Sequence, residues 1–516
     1  MAISFNNIPA DIRTPGVYVE IDNSRALKGL IQNPHKALII GQKLSTAGTA
    51  AFDTLMAITR DNLADGYFGA GSVLARMCNK FKENNPNTEL YAVALGSGIA
   101  GTAAEAKLDF SGAMVDETAS ADYTYRFMIN GTEIEVPIVS NQSGASIATT
   151  VVSLVNAIST LPVVAAINGT SDGRVDFSAV NSGTLGNFIS FQEDYYGYGI
   201  PSVFSWSAAV AGFLRGSGAA GVKSFYDSFA GGATNPTLAD AWAVIADEQF
   251  HYIIQPYWET ANMARIETEL DDRFLPLEDL QGHAFTATVD SHAGLTSTGN
   301  ARNSPHNTIV GVENSPNTSE EWAAAWGAVA AWNLNNDPAR PLHFLKLKGI
   351  LPPPVADRFI RSERDTLLYD GIATSRVDSG GNVLIERSIT SYQSNALGLP
   401  DPSYLDIQTL ATLSEIRYQY KVRMVNRFII PRFKLADDTF PVQPGSKVAT
   451  PKTVRSETIA LFTLLRDKGL IENLDEFIDN LVVERDLADR NRVNVLLPSD
   501  LINQFRVLAA NIQFIL

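Results

Sequence analysis

Directly after the apolar run Thr88–Leu95 stands "LGSGIAG", with glycines at Gly96, Gly98 and Gly101 in a literal GxGxxG spacing. After a strand, such glycines let the backbone turn sharply and approach a pyrophosphate, and the N-terminus of a following helix holds its charge. The chemistry would be dinucleotide binding. Its second requirement is a helix that begins at once, and "TAAEAKLDF" offers only a turn or two before a β-rich stretch. Asp116 or Glu117 falls at nearly the distance of a ribose-binding acid, but no strand ends there. A glycine-rich hinge is the preferred reading. A nucleotide-dependent α/β enzyme using Gly96–Gly101 is the alternative from another functional class; it predicts that substituting Gly98 abolishes cofactor binding.

Other candidate chemistry is thinner. His283, Asp290 and His292 offer imidazole and carboxylate, which suit zinc or iron. The histidines are separated by a predicted strand and its exit loop, a spacing that fits no common ligand set. Cys78 shares an apolar helical stripe with Met77 and Phe81 and reads as a small buried hydrophobe. Trp322, Trp326 and Trp332 on an Ala-rich helix read as packing, and "PPPV" from Pro352 as a stiff connector. No G-x-S-x-G elbow, P-loop or H-E-x-x-H occurs. The expectation is no catalytic, cofactor-binding or metal residue: not an enzyme, and no cofactor.

Composition points the same way. The chain has 516 residues, too many for one ordinary core, so two to four domains are expected. Only 19% of residues are charged, a low share that suits surface covered by partners. The 40 Lys+Arg against 56 Asp+Glu leave a net charge of −16, which disfavours general binding to nucleic acid. A lone cysteine excludes an intrachain disulfide framework. The first residues carry no secretory signal, and no apolar run reaches the roughly 18–20 residues of a membrane helix. A soluble protein made in a cytoplasm is expected, with no membrane insertion.

The elements that would position these residues form an α/β pattern. "KALIIGQ" and "TELYAVAL" read as strands around a helix at Gly71–Phe81. From about Ala100 to Pro236 the chain turns Gly-, Ser-, Ala- and Asn-rich, with short alternating runs and a hairpin signal at Asn130–Gly131. One helix, about Ser146–Ser159, interrupts it. The α/β rhythm then resumes. Leu238–Gln249 and Asn262–Phe274 read as helices, "FHYIIQPY", "AFTATVD" and "NTIVGVE" as strands, and "SEEWAAAWGAVAAW" as a helix with Ser319 available as cap. Later come the strand "VLIERSITSY", a long helix at Leu405–Phe428, and a helix at Glu457–Lys468 capped by Ser456, with Gly469 beyond it. The expected fold is α/β (α+β) and multidomain: a split α/β core with an inserted mostly-β outer domain and extended terminal arms. The boundaries are arm 1–30, core 31–100, insertion 101–235, core 236–430, a further domain 431–503, and arm 504–516.

The two arms have no local partner. In "GVYVEI", Val17, Val19 and Ile21 share one face of an extended chain and Tyr18 lies on the other. In "FRVLAANIQFIL", Leu508, Ala510, Ile512 and Phe514 share one face. Orphan strands of this kind add to a sheet edge of another copy. Head-to-tail addition is heterologous and generates rings or helical filaments. The residues by themselves therefore indicate a self-assembling structural protein.

The chain also resembles the tail sheath proteins of contractile-tailed bacteriophages, in their Mu-like branch. The resemblance is carried, in order along the chain, by "ISFNNIPADIRTPGVYVEID", "NGTEIEVPIV", "LGNFISF", "GGATNPTLADAW", "ERDTLLYDGIAT", "VLIERSITSY" and "NRVNVLLPSDLINQFRVLAANIQFIL". It implies a conserved α/β core built from both ends of the chain and a variable domain facing outward. It implies hexameric rings of subunits stacked helically around a tail tube, with baseplate and tail terminator proteins as further partners. It implies residence in the virion after assembly in the host cytoplasm, and contraction that drives the tube through the host envelope for genome ejection. A phage-tail-like bacteriocin or injection system is the nearer alternative context. The implied inter-subunit residues are Val17, Tyr18, Val19 and Ile21 in the N-arm, and Leu508, Ile512 and Phe514 in the C-arm, each pairing with a neighbour's sheet by strand exchange. Residues 431–503 would face the tube.

Overall fold

The computed structural model describes residues 30–96, 101–110, 122–171, 173–193, 195–198, 214–215, 225–226, 228–443 and 445–515. These fall into two compact units: residues 34–414 with 503–515, and residues 30–33 with 415–502.

The larger unit begins with β1 (Lys36–Gln42), β2 (Leu55–Ala57), α1 (Leu63–Phe68), α2 (Val73–Asn84) and β3 (Glu89–Leu95). Next along the chain are β4 (Ala103–Asp109), the hairpin β5 (Tyr123–Ile129) and β6 (Thr132–Ile138), α3 (Gly144–Ala157), β7 (Val163–Ile167), β8 (Arg174–Ser182), β9 (Phe191–Glu193), β10 (Leu214–Arg215) and β11 (Phe225–Tyr226). The chain then returns through α4 (Ala239–Ile245), β12 (Tyr252–Ile254), α5 (Thr260–Phe274), β13 (His283–Val289), α6 (His292–Asn300), β14 (Asn307–Val312), α7 (Ser319–Asn336), α8 (Arg361–Tyr369), β15 (Ile372–Val377) and β16 (Val383–Arg387).

Eight strands form one sheet in the order β16-β15-β14-β13-β12-β1-β3-β2. The six inner strands run parallel, and β2 and β16 pair antiparallel at its ends. Strands covered on both faces read as continuous apolar runs, which is why "KALIIGQ" has no alternation: six of its seven residues are buried. Helix α7 is buried almost all round, as its Ala-rich sequence permits. It lies close enough to the sheet that a Cβ on Gly327 would come within 2.6 Å of Ile254 Cγ1. Trp322 and Trp326 are fully buried, while Trp332 is half-exposed.

Residues between β3 and α4 build two further sheets, β10-β11-β4-β8-β7 and β6-β5-β9, around a separate apolar core. Ile147, Val151 and Val155 of α3 and Phe127, Phe177 and Phe191 of the strands fill it. Bridges Thr102–Ala233 and Glu105–Ala230 bring the two ends of this stretch together.

The remaining elements in chain order are α9 (Ile407–Met424), β17 (Lys434–Leu435), β18 (Val448–Ala449), α10 (Pro451–Asp467), α11 (Leu474–Asn480), and the hairpin β19 (Val482–Arg485) and β20 (Val493–Leu496). In the smaller unit Phe462 of α10 and Phe477 of α11 stack with centroids 3.9 Å apart. Asp437 accepts from both Arg485 and Arg490 at 2.9 Å.

Two expected caps are corrected. Helix α10 starts six residues earlier than expected, because Pro451 suits the first helical position and the Thr450 hydroxyl accepts from the Thr453 N–H. Ser456 therefore lies inside the helix, its hydroxyl donating to Lys452 O. Thr318, not Ser319, precedes α7, and its N–H is satisfied by a side chain from the β5–β6 turn.

Candidate inter-subunit interface

Beyond Ile502 the chain forms no helix or strand through residue 515, and no strand pairs with residues 503–515 among the described residues. Its side chains stand in solvent: Leu508 is 80% exposed, Ile512 90% and Phe514 79%, with Phe505, Val507 and Ile515 equally bare. Each large apolar side chain gains roughly 1.5–3 kcal/mol on full burial. The three C-arm residues expected from the sequence thus share one uncovered segment.

The segment is not loose at its root. Arg506 Nη2 lies 2.6 Å from Asp406 Oδ2, and its Nε and Nη2 both donate to Gln504 Oε1 at 3.1 and 2.6 Å. Asp406 also accepts from Arg387 at 3.2 Å on each oxygen. Burial is the largest influence on the Arg506 guanidinium and, with Arg387 nearby, holds it below its ordinary range against the pull of Asp406.

The N-arm residues Val17, Tyr18, Val19 and Ile21 lie outside the described residues. In the smaller unit, Ile31 is held by Gln419, whose amide accepts from Ile31 N–H at 3.2 Å and donates to Ile31 O at 2.6 Å. The hairpin β19–β20 in that unit is a two-stranded sheet with both outer edges unpaired among the described residues. Val482 and Leu496, opposite one another, are largely exposed.

In α/β sheets, ligands sit beyond the carboxyl ends of the strands where the strand order reverses. Here the reversal lies at β1 and β12, and that place is filled from within the chain. Gln42 Nε2 donates to Ser182 O at 3.0 Å, and Asn181 bridges Lys43 O and Val73 N–H. A void of about 10 Å³ is left among Gln42, Arg76, Leu185, Gly186 and Glu320, room for at most one water.

Beside it sits a buried charged cluster. Arg76 pairs with Glu320 at 2.5 Å and Glu321 at 3.0 Å. Burial opposes the Arg76 charge, and the two carboxylates outweigh it, so its pKa is raised. Burial also opposes the Glu321 charge, but Arg76, Lys80 and the amides of Asn130 and Asn317 hold its carboxyl below the usual range.

The structure separates the other candidates. β3 ends at Leu95 and the next element is the antiparallel strand β4, with α3 the first helix beyond it among the described residues; Gly98 lies outside them. His283 is buried against Thr308 Oγ1 at 2.8 Å, whereas His292 opens α6 with Nε2 3.3 Å from Glu363 O. Among the described residues no group of three His, Cys, Asp or Glu could hold a metal ion. Cys78 is buried, and desolvation pushes its thiol far above the ordinary value.

Residues 231–391 match the phage tail sheath protein central domain, and residues 400–515 the phage tail sheath C-terminal domain. The chain is 35% identical, over the full length of both chains, to the Mu-like prophage FluMu tail sheath protein of Haemophilus influenzae. It belongs to the phage tail sheath family. Among solved structures it resembles the sheath tail protein of Listeria innocua, at 11% identity and a TM-score of 0.47 over 93% of this chain and 95% of that one. The anti-feeding prophage helical sheath in its contracted state matches at 10% identity and a TM-score of 0.46, over 97% and 99%. Sheath membership was legible in the sequence; the polar groups at Asp406, Gln419 and Asn130 were not, since each acts on residues far away in the chain.

Proposed function

We propose that this sheath subunit polymerises as stacked hexameric rings around a tail tube and contracts to drive the tube through the host envelope. The observation that carries this reading is the uncovered apolar strip Leu508, Ile512 and Phe514 on a segment without an intrachain strand partner. Val17, Tyr18, Val19 and Ile21 would play the same part at the other end. The acceptor is the β19–β20 hairpin of another copy, whose two free edges offer backbone donors and acceptors to an added strand. A lone hairpin is marginal in water and gains from such additions.

The division of labour runs along the chain: arms 1–30 and 504–516, core 31–100 and 236–430, insertion 101–235 facing outward, and 431–503 facing the tube. Baseplate and tail terminator proteins would meet the two ends of the polymer, which assembles in the host cytoplasm and resides in the virion. Contraction needs no nucleotide if the same subunits have a second packing of lower free energy. The filled crevice at β1 and β12 supports a scaffold without enzymatic activity.

Negative-stain electron microscopy of the purified protein tests the reading, alone and with tail tube. Long hollow tubes are expected, and deleting residues 504–516 is expected to leave a folded core that forms none. Tubes of normal length from the truncated chain would overturn the arm assignment; small discrete particles under every condition, tube included, would overturn polymerisation itself.

A further inference from the structure

Among the C-arm residues just described, Arg506 differs from those beyond it. Its side chain is 28% exposed although the residue as a whole, backbone included, is exposed, whereas Val507, Leu508, Ile512, Phe514 and Ile515 are each 79% exposed or more as whole residues. The partner of Arg506 is rigidly placed. Asp406 directly precedes α9, bridges to Ile389 by backbone pairing, and its carbonyl accepts from the Thr409 N–H. Arg387, at the end of β16, grips both carboxylate oxygens in parallel. One carboxylate thus serves two arginines, one belonging to the sheet and one to the arm. Charge-assisted bonds of this kind are short and directional.

We infer that Asp406 is the positioning residue of the C-terminal arm: its grip on Arg506 fixes where the arm leaves the subunit, so that only residues 507–515 are free to be exchanged. That length spans about 30 Å when extended. An arm held at a fixed point searches a smaller volume for its acceptor, which raises its effective concentration there. The inference rests on the arm reading above, but the grip itself is a property of the single subunit.

Trypsin cleavage after Arg506 reads the grip without assembly. In unassembled subunits of the full chain, Asp406→Asn keeps the side chain's shape and removes its charge. Cleavage at Arg506, followed by mass spectrometry of the released peptide, is expected to run about tenfold faster, as loss of one charge-assisted hydrogen bond implies. An unchanged cleavage rate would overturn the inference, whether or not tubes form. If Asp406→Asn fails to fold, Arg506→Gln serves in its place. Its melting temperature should match that of the parent chain while its tubes become fewer and shorter under conditions where the parent forms them. Parent-like tubes would then overturn the positioning role. If the parent chain forms no tubes either, its own cleavage after Arg506 decides: a rate well below that of a free peptide spanning residues 503–515 is expected, and an equal rate would overturn the grip.

Discussion

Asn130, at the tip of the β5–β6 hairpin, reaches Glu321 in the first turn of α7: its amide donates to Glu321 Oε1 at 2.7 Å and accepts from the Thr318 N–H at 2.9 Å. A residue type that commonly marks an exposed turn here closes a buried charged cluster. Asn130 holds φ at 48° and Gly131 at 74°, as a tight hairpin turn requires. A Cβ on Gly131 would press within 2.9 Å of Asn317 Nδ2. Asn130→Ala should therefore destabilise the subunit by about 3 kcal/mol, from a charged hydrogen bond lost and a buried N–H left unpaired. Asn130→Gly keeps the turn and should show the hydrogen-bond loss alone. Denaturant unfolding of both variants checks this; equality with the parent chain would remove Asn130 from the cluster.

Removing the cation of that cluster should cost more. Arg76→Met leaves the buried Glu320 and Glu321 carboxylates without the cation that pairs both of them. Breaking a buried pair from one side typically costs about 3–5 kcal/mol. Replacing both glutamates by glutamine alongside Arg76→Met should recover part of the loss. A double-mutant cycle in denaturant measures the recovery, and strict additivity would argue against direct coupling.

Acid should weaken the subunit before its exposed carboxylates titrate. His35 stacks on His251 with centroids 4.2 Å apart, and its Nδ1 lies 2.8 Å from Tyr252 Oη. Desolvation lowers His35 to about 4 and holds His251 well below the ordinary value; His306 is likewise lowered to about 4. In the unfolded chain these imidazoles take up protons near pH 6.5. Their contribution is therefore complete above 6.5 and lost as pH falls from there toward 4, at up to about 1.4 kcal/mol per pH unit for each histidine. Glu321, lowered in the fold, adds to the loss below its ordinary carboxyl range. The neighbouring Lys36–Glu248 pair raises Lys36, whose contribution fades only on the alkaline side. Melting temperatures from pH 8 to 4 should decline through this window, and His35→Gln should flatten the decline.

The elements legible in the sequence were those whose local pattern and tertiary role agree. Lys36–Gln42 and Asn307–Val312 are apolar throughout because both faces of the sheet are covered. The β5–β6 hairpin was legible because Asn130–Gly131 admits few other conformations. The caps of α7 and α10 were misplaced by one and six residues, since Ser319 and Ser456 have the right chemistry but Thr318 and Thr450 the right position. In the C-arm, period-two alternation singles out Leu508, Ile512 and Phe514, but exposure does not distinguish them from Phe505, Val507 and Ile515, and their inter-subunit role is a proposal. No periodicity could join Arg506 to Asp406 or Ile31 to Gln419, because those pairs form only once distant segments are packed. The glycines at 96 and 101 carried a misleading motif, for their spacing does not determine whether a helix or a strand comes next.

Edge protection at β7 gives a further test. Asn156 of α3 offers its amide to Ala165, donating to its carbonyl and accepting from its N–H, each at 2.9 Å. A side chain thus takes the place of a strand on an edge where Val164 is half-exposed, and such capping discourages unwanted pairing. Asn156→Ala should leave the melting temperature within a few degrees and increase disordered aggregation, read by light scattering of the unassembled subunit. Ordered tubes without added aggregates would show that this edge needs no cover.

The smaller unit offers the sharpest separation of stability from assembly. Phe462 and Phe477 are fully buried and stacked, and Arg455 Nη2 donates to Ile478 O at 2.5 Å, so α10 and α11 are joined just before the chain enters β19. Phe477→Ala should cost that unit about 3–5 kcal/mol through the lost packing and the cavity left behind. The β19–β20 hairpin would lose its support, and with it the two edges proposed to accept a neighbour's arms. Hydrogen exchange should then show protection lost from residues 451–496 while β1, β13 and β14 keep theirs, and tube formation should fail. Normal tubes from a variant whose hairpin exchanges freely would exclude β19–β20 as the acceptor and direct the search to another sheet edge.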